Sequence, residues 1–300
     1  MCVILTAVKI EGSAVVVTGA ASGIGAALAV AAADRGARAV AVIDIDAAGA
    51  AETARRITEL GVRSAAFECD IADVAYVEQV AARVVDAIGV PGLVCANAGV
   101  NTPPARLFDG EADDLRWALS VNVVGTWATI TSFGRQMIKS SEQGWFLLTA
   151  SEHAVGIPFA GNGFYTASKH AVLGLGDVLR RELPAGLGVS VMIPGLVATG
   201  LWRSGSLRPE VHGGPRDQDE RARRVIAAGM DPTVVARRAL DGVAAERFLI
   251  ATHPHVRAYA DQRTADVTAA FDALEPGDDR SFDVPTIIAA IRSQDPDRSR

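Results

Sequence analysis

The sequence has few cysteines and no dense tract of positive charge. Three cysteines in 300 residues, Cys2, Cys69 and Cys95, form an odd set without metal-ligand spacing. We interpret them as small apolar residues of a reducing compartment and expect no metal site. The formal net charge is −6 and the Lys and Arg residues are scattered, which excludes the basic surface that a nucleic-acid partner requires.

Long apolar runs are also missing. No run reaches the ~18 apolar residues of a membrane span. Residues 1–10 are apolar, but they lack a basic start and a cleavage site and are soon interrupted by charge, which predicts no signal peptide. The sequence therefore predicts a cytoplasmic protein without a membrane partner.

Short apolar runs instead alternate with longer amphipathic stretches. The stretches at 26–35, 47–60 and 74–88 are predicted helices. The apolar runs are continuous, which is typical of parallel strands that helices cover on both faces. The pattern predicts an α/β fold with a doubly wound, seven-stranded parallel sheet. The predicted strands lie at 14–17, 39–43, 65–67, 93–96, 145–148, 189–193 and 248–251.

No internal repeat or glycine-serine linker divides the chain, so we expect a single domain over 1–300. Residues 201–230, which we call the lid segment, interrupt the alternation and are rich in Arg, Gly, Pro and acidic residues. They have the composition of a mobile lid over a site or, alternatively, of a solvated loop without a role. The extension at 252–300 contains a predicted helix at 256–274. An apolar stretch at 287–291 follows, which covers either the parent domain or a neighbouring subunit.

A glycine-rich loop follows the first predicted strand and leads into an Ala-rich helix. We expect Gly19 to permit a tight turn, Gly23 to let backbone amides approach a pyrophosphate, and Gly25 to allow close packing of helix on strand. The Gly-x-x-x-Gly-x-Gly spacing differs from the Gly-x-Gly-x-x-Gly form of many dinucleotide-binding folds. Glycines placed only for the turn are the alternative. The loop reads Thr18-Gly19-Ala20-Ala21-Ser22-Gly23-Ile24-Gly25.

An acidic residue, Asp44, ends the second predicted strand nineteen residues after Gly25. A carboxylate at this position accepts hydrogen bonds from both hydroxyls of an adenosine ribose and repels the 2′-phosphate of NADP. No arginine follows directly, although Arg38 lies upstream, so the sequence favours NAD over NADP. Asp44 is alternatively a cap of the next helix, for which Asp46 is better placed.

Tyr165 and Lys169 stand four residues apart, which places both side chains on one face of a helix. An ammonium near a phenol stabilises the phenolate and lowers its pKa, so the pair has the composition of a general acid/base. The same spacing is common on solvated helix faces, and the motif alone does not decide between these readings.

Further motifs follow later strands: Asp70-Ile71, Asn97-Ala98-Gly99, Asn122 in Ser-Val-Asn-Val-Val-Gly, Ser151, and Pro194-Gly195-Leu196-Val197-Ala198-Thr199. In this order the motifs resemble the short-chain dehydrogenase/reductase (SDR) family over about residues 8–251, the expected core. The resemblance implies a Rossmann-type fold with helices on both faces and a nicotinamide cofactor. The implied cofactor-binding residues are Gly19, Ser22, Gly23, Ile24, Gly25, Asp44, Asp70, Ile71, Asn97, Ala98, Gly99, Tyr165, Lys169, Pro194, Gly195, Val197 and Thr199.

The resemblance also implies a catalytic set of Asn122, Ser151, Tyr165 and Lys169. Tyr165 takes the proton of an alcohol as hydride passes to the nicotinamide, and Ser151 hydrogen-bonds the substrate oxygen. Lys169 lowers the pKa of Tyr165 and binds the nicotinamide ribose, while Asn122 connects Lys169 to solvent through water. The expected function is the NAD-dependent interconversion of a secondary alcohol and a ketone. The alternatives are an NADP-dependent biosynthetic ketoreductase and a non-catalytic nucleotide-binding or sensing protein on the same fold.

The substrate side departs from the family pattern. Ser151 precedes Tyr165 by fourteen residues, one more than the family's commonest spacing. Glu152 and His153 follow, where the family commonly has a small or apolar residue first. This pair either binds a polar part of the substrate, or one member points to solvent while the other is hydrogen-bonded structurally.

The other candidate pocket residues are apolar, which suits an aliphatic, alicyclic or aromatic small molecule, although each is alternatively a core residue. We interpret Arg203 and Arg208 of the lid segment as surface residues, with carboxylate binding as the alternative. The apolar candidates are Ile157, Phe159, Leu196, Leu201 and Trp202, with Val155 and Phe164 as further wall residues.

The resemblance implies a homodimer or homotetramer, commonly formed through the helices that contain Asn122 and Tyr165. The second of these carries small residues, Ala167, Ala171 and Gly174, along one face. Such a face packs closely against either a partner or the parent sheet, and the sequence does not separate the two.

Overall fold

The computed structural model describes residues 10–140, 143–216, 220–274 and 283–294. Cys2, the first residues of the predicted core, positions 217–219 of the lid segment and positions 275–282 of the extension lie outside them. The chain divides into two compact units, 1–260 and 261–300. The single domain expected over 1–300 stays a prediction.

Seven parallel strands form one sheet, with the order β3-β2-β1-β4-β5-β6-β7. Each strand pairs in parallel with its neighbours, and β1 pairs with both β2 and β4. The strand order reverses on either side of β1, as in a doubly wound sheet, so the predicted fold class is confirmed. The strands are β1 (Ala14–Thr18), β2 (Ala39–Asp44), β3 (Arg63–Glu68), β4 (Leu93–Ala96), β5 (Gly144–Thr149), β6 (Leu187–Ile193) and β7 (Leu249–Ala251).

The expectation that all seven strands are buried is wrong at the two edges of the sheet. β1 is buried throughout, whereas β3 buries only Phe67 and β7 buries only Ile250. An edge strand has one neighbour instead of two and is less completely covered. This is why β3 extends to Arg63 and Glu68, beyond the apolar run that predicted it.

Helices cover both faces of the sheet. Val16 of β1 packs on the face that α3, α5 and α6 cover, and its neighbours Val15 and Val17 pack on the face that α1, α2 and α8 cover. The helices are α1 (Gly23–Asp34), α2 (Ala47–Glu59), α3 (Val74–Ile88), α4 (Ala112–Leu119), α5 (Thr126–Ser140), α6 (Gly163–Glu182), α7 (Glu220–Ala227), α8 (Pro232–Ala244), α9 (Val256–Asp272) and α10 (Val284–Gln294).

The helix that follows β2 begins at a capping aspartate. Asp46 is the N-cap of α2, and its carboxylate accepts a hydrogen bond of 3.0 Å from the Gly49 amide. The preference for Asp46 over Asp44 as the cap is therefore confirmed. Asp44 does not cap α2. It is the last residue of β2, and its carboxylate lies at the carboxyl end of that strand.

Two irregular segments lie near the carboxyl ends of the strands. Ser120–Gly125 forms a π-helical turn between α4 and α5, and such turns are frequent at functional sites. Within the lid segment, Leu201–Leu207 and Glu210–His212 form 3-10 helices, and α7 follows. The lid segment is thus mostly helical where it is described.

The last 40 residues form the second unit. Its described part is the end of α9 together with α10. Ile287, Ile288 and Ile291 of α10 have exposed fractions of 39%, 42% and 61%. Which surface covers this apolar stretch stays a prediction.

Candidate active site

A cleft of about 1110 Å³ lies at the carboxyl ends of the strands. This is slightly larger than the volume range of typical small-molecule sites, about 300 to 1,000 Å³, so it has room for a dinucleotide and a second molecule. Every cofactor-binding residue predicted from the sequence lines it, from Gly19 to Thr199. We call the part around 19–25, 44, 70–73 and 97–99 the glycine-loop half, and the part around 151–153, 159, 196 and 201–212 the serine half.

The glycine loop has the geometry that its sequence predicts. Gly19 has a φ of +66°, which a residue with a Cβ rarely adopts. A Cβ on Gly25 would overlap the Gly19 carbonyl oxygen and lie 2.7 Å from Asn97 Nδ2. Ser22 precedes α1 in an extended conformation, and its side chain forms no capping bond to the described helix. The amides at the start of α1 therefore face the cleft at the positive end of the helix dipole, which suits a phosphate.

Asp44 lines the glycine-loop half and is fixed by two backbone donors. Its Oδ2 accepts from the Ala21 amide and its Oδ1 from the Asp46 amide, each at 2.9 Å. Burial nevertheless raises the pKa of Asp44 above its ordinary value, with these hydrogen bonds opposing the shift. Arg38 is directed elsewhere, donating to the Ile88 carbonyl at 2.9 Å.

Asn97 and Thr18 join the ends of β1, β4 and β5. Asn97 Nδ2 donates to the Thr18 carbonyl at 3.1 Å, and Thr149 Oγ1 donates to Asn97 Oδ1 at 3.1 Å. Thr18 Oγ1 accepts from the amides of Asn97 and Ala98 at 3.0 and 3.1 Å. The sequence motif identified Asn97, but the roles of Thr18 and Thr149 depend on strand pairing and were missed.

Asp70 and Thr199 line the cleft and also stabilise local turns. Asp70 Oδ1 accepts from the Ala72 amide at 2.9 Å, and Thr199 Oγ1 accepts from the Leu201 amide at 3.3 Å. Thr199 also lies against the glycine loop, since a Cβ on Gly23 would come within 3.0 Å of it. A turn role and a cofactor-binding role are compatible at both positions.

Ser151, Tyr165 and Lys169 meet where the two halves of the cleft join. Ser151 follows β5 and lies near Tyr165, which is on α6. Lys169, one turn later, places Nζ 5.5 Å from the centre of the Tyr165 ring and donates to the Thr149 carbonyl at 3.0 Å. All three line the cleft, so the solvated-helix alternative for the Tyr-Lys pair does not hold: Lys169 is only 4% exposed.

Burial opposes the charged form of both Tyr165 and Lys169. Burial raises the pKa of Tyr165 to about 12, and the Glu152 carboxylate adds to this, while the hydrogen bond with Ser151 opposes it. Burial lowers the pKa of Lys169 to about 8. In the protein alone, burial therefore determines the direction of the Tyr165 shift, and the lowering expected from Lys169 together with the oxidised cofactor stays a prediction.

Asn122 lies in the π-helical turn but does not line the cleft. Its Oδ1 accepts from the Val100 amide at 2.8 Å, and its Nδ2 donates to the Val100 carbonyl and to Ser168 Oγ, each at 2.9 Å. A Cβ on Gly99 would lie 3.1 Å from Asn122 Oδ1 and 3.2 Å from Lys169 Nζ. Asn122 thus lies close behind Lys169, with its amide committed to Val100 and Ser168.

Glu152 and His153 are both buried, with exposed fractions of 8% and 4%. Neither side chain points to bulk solvent. The alternative that one member of the pair points to solvent is therefore wrong. They form a short 3-10 turn capped by Ser151, whose Oγ accepts from the His153 amide at 3.3 Å. Both residues line the cleft beside Tyr165.

Two histidines after β7 support the serine half, and the sequence did not indicate them. His253 Nδ1 accepts from the Gly195 amide at 3.1 Å, while Nε2 lies 3.1 Å from the Leu196 carbonyl. His255 Nε2 lies 2.9 Å from Glu152 Oε2. These partners are 57 to 103 residues apart in the chain, so only the fold brings them together.

Arg208 of the lid segment is buried, which corrects its interpretation as a surface residue. Its side chain is 2% exposed and lies 3.1 Å from the carboxylate of Asp114 on α4, which is 7% exposed. Arg216 also pairs with Asp114 and with Glu111. Arg208 Nε and Nη2 and Asp114 Oδ1 form no hydrogen bond within the described structure, so the two side chains interact as a buried ion pair. Arg203 is exposed and lies over the Trp202 ring.

Some apolar substrate candidates line the cleft and others do not. Phe159, Leu196 and Leu201 line it, together with Leu207 and Val211, which the sequence did not single out. Ile157 is 53% exposed and is not among the lining residues, nor are Trp202, Val155 and Phe164. Asn101 Oδ1, Asn162 Oδ1 and His212 Nδ1 are enclosed polar atoms of lining residues that have no partner within the described structure.

The sequence of this chain is similar to those of known proteins. The family model described as short chain dehydrogenase matches residues 13–208. The probable oxidoreductase EphD of Mycobacterium tuberculosis is 35% identical over 186 residues, which cover 62% of this chain but only 31% of EphD. D-threitol dehydrogenase of Mycolicibacterium smegmatis is 35% identical over 199 residues, 64% of this chain and 73% of that protein.

Solved structures agree in fold. A short-chain dehydrogenase/reductase from Burkholderia phymatum, solved in complex with NAD, has a TM-score of 0.82 and 28% identity, over 90% of this chain and 99% of its own. No helix in the described part of the chain combines the length and apolar character needed to cross a membrane. The family model covers more than half of the chain, and the relatives are named oxidoreductases and dehydrogenases. The chain therefore belongs to the short-chain dehydrogenase/reductase family of oxidoreductases.

Proposed function

We propose that the protein is an NAD-dependent oxidoreductase that interconverts a secondary alcohol and a ketone on a largely apolar small molecule. The observation that carries this proposal is the meeting of Ser151, Tyr165 and Lys169 in the same cleft as the glycine loop and Asp44. A proton-transfer group and a dinucleotide-sized site then share one space, as hydride transfer requires.

The glycine-loop half fits a nicotinamide dinucleotide. The N-terminus of α1, which no described side chain caps, suits the pyrophosphate. Asp44 is held by two backbone amides, and its carboxylate accepts hydrogen bonds from the ribose hydroxyls. Asp44 disfavours NADP because a 2′-phosphate brings like charges together, and Arg38 is engaged with Ile88. The related B. phymatum protein binds NAD. When bound, the cofactor supplies the hydride acceptor or donor at its nicotinamide ring.

Tyr165 is the proposed general acid/base. It takes the proton from the substrate hydroxyl in oxidation and returns it in reduction, while Ser151 donates a hydrogen bond to the substrate oxygen. Burial raises the pKa of Tyr165 to about 12, so the protein alone keeps the phenol protonated. The phenolate then depends on the Ser151 bond and on nearby positive charge, which Lys169 and the oxidised cofactor supply.

Lys169 is held in place for a second role, binding the nicotinamide ribose. Its bond to the Thr149 carbonyl fixes Nζ beside Tyr165. Asn122 holds Val100 and Ser168 in place by hydrogen bonds. It does not line the cleft, so its influence on Lys169 is through these neighbours. The water relay expected from the family remains a proposal for Asn122.

The substrate binds in the serine half under the lid segment. Phe159, Leu196 and Leu201 supply apolar surface there, and Leu207 and Val211 are 50% and 78% exposed at the same side. Covering these side chains with an apolar body removes them from water, which favours binding. The related D-threitol dehydrogenase acts, by its name, on an alcohol.

We also propose that the protein forms a homodimer or homotetramer and that it is cytoplasmic. Ala167 and Gly174 of α6 are exposed, and a Cβ on Gly174 would meet nothing within 4 Å. The small-residue face thus points away from the parent sheet and is available to a partner. Cys69 and Cys95 are free and buried, as expected in a reducing compartment.

The decisive experiment is a panel of secondary alcohols and ketones, followed at the NADH absorbance with NAD and NADP in parallel. Tyr165→Phe removes only the transferable proton, and we expect it to lower turnover by about 10²- to 10⁴-fold while NAD still binds. Tyr76→Phe on α3, away from the cleft, is the matched control. Near-normal turnover by Tyr165→Phe would show that Tyr165 is not the general acid/base. Tight NAD binding without oxidation of any alcohol would favour the non-catalytic alternative. A preference for NADPH over NADH would favour the biosynthetic ketoreductase.

A further inference from the structure

Glu152 and His153 present polar atoms to the cleft that the proposed mechanism does not use. Glu152 Oε2 is paired with His255 Nε2, but Oε1 has no hydrogen-bonding partner among the described residues, and it is not fully enclosed. Glu152 is 8% exposed and lines the cleft directly after Ser151. A carboxylate oxygen that faces the cleft without a protein partner is available to accept a hydrogen bond from a ligand.

His153, the next residue in the chain, also lines the cleft, with a ring nitrogen that has no partner in the part of the chain that the structure describes. Its Nδ1 lies 2.8 Å from Thr166 Oγ1, which leaves Nε2 without a partner in the described structure and not fully enclosed. Its ring packs edge-on against Tyr165 and Phe159, with ring centres 5.4 and 5.3 Å apart. Burial lowers the pKa of His153 to about 4, so the imidazole is neutral at pH 7.

We propose that Glu152 Oε1 and His153 Nε2 form a polar subsite for a second hydroxyl of the substrate, on a carbon neighbouring the reacting carbon. A hydroxyl satisfies both atoms, because it donates its proton to the carboxylate and shares a hydrogen bond with the neutral imidazole. Both residues adjoin the groups that hold the reacting oxygen, Ser151 in the chain and Tyr165 in space. The influence of the Glu152 charge on the Tyr165 pKa agrees with this proximity.

The geometry favours a hydroxyl over an ammonium. A hydroxyl both donates and accepts a hydrogen bond, whereas an ammonium only donates, so a hydroxyl matches the Glu152 carboxylate and either tautomer of the neutral His153 ring. The resulting substrate class is a vicinal diol, or the matching hydroxyketone, on an otherwise apolar body. This inference rests on the proposed function and narrows its substrate.

The test compares two substrates that differ only in the second hydroxyl. We expect trans-1,2-cyclohexanediol to exceed cyclohexanol in kcat/KM by about 10- to 100-fold, the range for one hydrogen bond to a charged group. trans-2-Aminocyclohexanol replaces that hydroxyl with an ammonium and should be poorer than the diol. Equal rates for diol and mono-ol, or a preference for the amine, overturn the proposal.

Variants then assign the preference to these side chains. Glu152→Gln keeps the shape and removes the charge, and His153→Phe keeps the ring packing and removes Nε2. Each should reduce the diol-to-mono-ol ratio about tenfold or more. Glu78→Gln, an exposed carboxylate on α3, should leave the ratio unchanged. A variant that slows both substrates equally shows a structural role and contradicts the subsite.

Calorimetry separates the subsite from the proposed reaction. With the Tyr165→Phe protein loaded with NAD, the diol should bind about tenfold or more tightly than cyclohexanol, and Glu152→Gln in the same background should remove the difference. If the unaltered protein oxidises no alcohol of the full panel, the proposed function fails, while this binding preference still decides the subsite. Equal binding of the two ligands overturns the subsite even where turnover is normal.

Discussion

Two parts of the cleft, the glycine loop with Asp44 and the serine half, are held differently: backbone groups hold the first, whereas side chains from distant segments hold Glu152 and Arg208 in the second. Asp44 is fixed by amides two and 23 residues away, and Gly25 packs on Gly19 of its own loop. Glu152, in contrast, is paired with His255, 103 residues away. Arg208 is likewise buried against Asp114 on α4.

This difference suits two kinds of ligand. A dinucleotide presents the same phosphates and riboses to every relative, so fixed backbone geometry serves it. A substrate differs between relatives, and side chains on loops change without disturbing the sheet that carries them. Substitutions in the glycine-loop half should therefore affect every substrate alike, and those in the serine half should discriminate between substrates.

The largest expected effect is that of Gly25→Ala. The new Cβ would overlap the Gly19 carbonyl oxygen, and backbone cannot move aside as a side chain can. We expect the free energy of unfolding to fall by more than about 3 kcal/mol and NAD binding to be lost, as measured by urea unfolding and by calorimetry.

Gly174→Ala is the matched control for Gly25→Ala. A Cβ on Gly174 meets nothing within 4 Å in the middle of α6, and replacing a helical glycine by alanine stabilises by up to about 1 kcal/mol. If both substitutions had similar, small effects, the close contact within the glycine loop would not be a constraint.

Arg208→Met should have the next largest effect, and it acts on the other half. It leaves the buried Asp114 carboxylate without its main partner, which costs about 3 kcal/mol of unfolding free energy. We also expect a raised KM for the substrate with unchanged NAD affinity, because Arg208 ties the lid segment to α4. Steady-state kinetics and urea unfolding measure both quantities.

Two further variants sharpen the Arg208 experiment. The double variant Arg208→Met, Asp114→Leu removes both charges and should regain most of the lost stability. Arg203→Met changes an exposed arginine of the same segment and should leave stability within about 0.5 kcal/mol. An equal loss from Arg203→Met and Arg208→Met would contradict a specific role for the buried pair.

The same contrast explains what the sequence could predict. Apolar periodicity located the strands because burial on both faces leaves a local pattern, and Asp46 was identified as a cap because a cap acts within three residues. The partners of Glu152 and Arg208 lie on other elements, and nothing near them in sequence marks the contact. Asn122 was identified by its motif, but its bonds to Val100 and Ser168 depend on the fold.

Asp44→Asn should change cofactor preference without changing substrate preference. The amide keeps the shape and an acceptor oxygen but removes the charge that repels a 2′-phosphate. We expect the ratio of kcat/KM with NADPH to that with NADH to rise by about 10- to 100-fold. Asp46→Asn retains a good capping residue and should leave that ratio unchanged. An unaltered ratio in Asp44→Asn would remove the electrostatic argument for NAD.

The smallest expected effect concerns Lys169, where the two halves join. Burial lowers its pKa to about 8, whereas lysine in an unfolded chain has a pKa of about 10.4. Between these values the unfolded chain binds more protons at Lys169 than the native state does, so the contribution of Lys169 to native stability rises with pH. This rise, measured as the difference between the unaltered protein and Lys169→Met, should be on the order of 2 kcal/mol from about pH 8 to pH 10. Burial also raises the pKa of the Cys69 and Cys95 thiols to about 12, which lowers the stability of both proteins alike over the same range.

Urea unfolding at several pH values tests this, with the exposed Lys139→Met as the control that keeps the rise. The series stops near pH 10, about where an unperturbed tyrosine begins to lose its proton. Beyond that point the pKa of about 12 for Tyr165 makes the native state hold a proton that the unfolded chain releases, and stability falls. Identical pH profiles for the unaltered protein and Lys169→Met would mean that Lys169 is hydrated in solution. Burial would then not determine the charge of the Lys169 ammonium beside Tyr165.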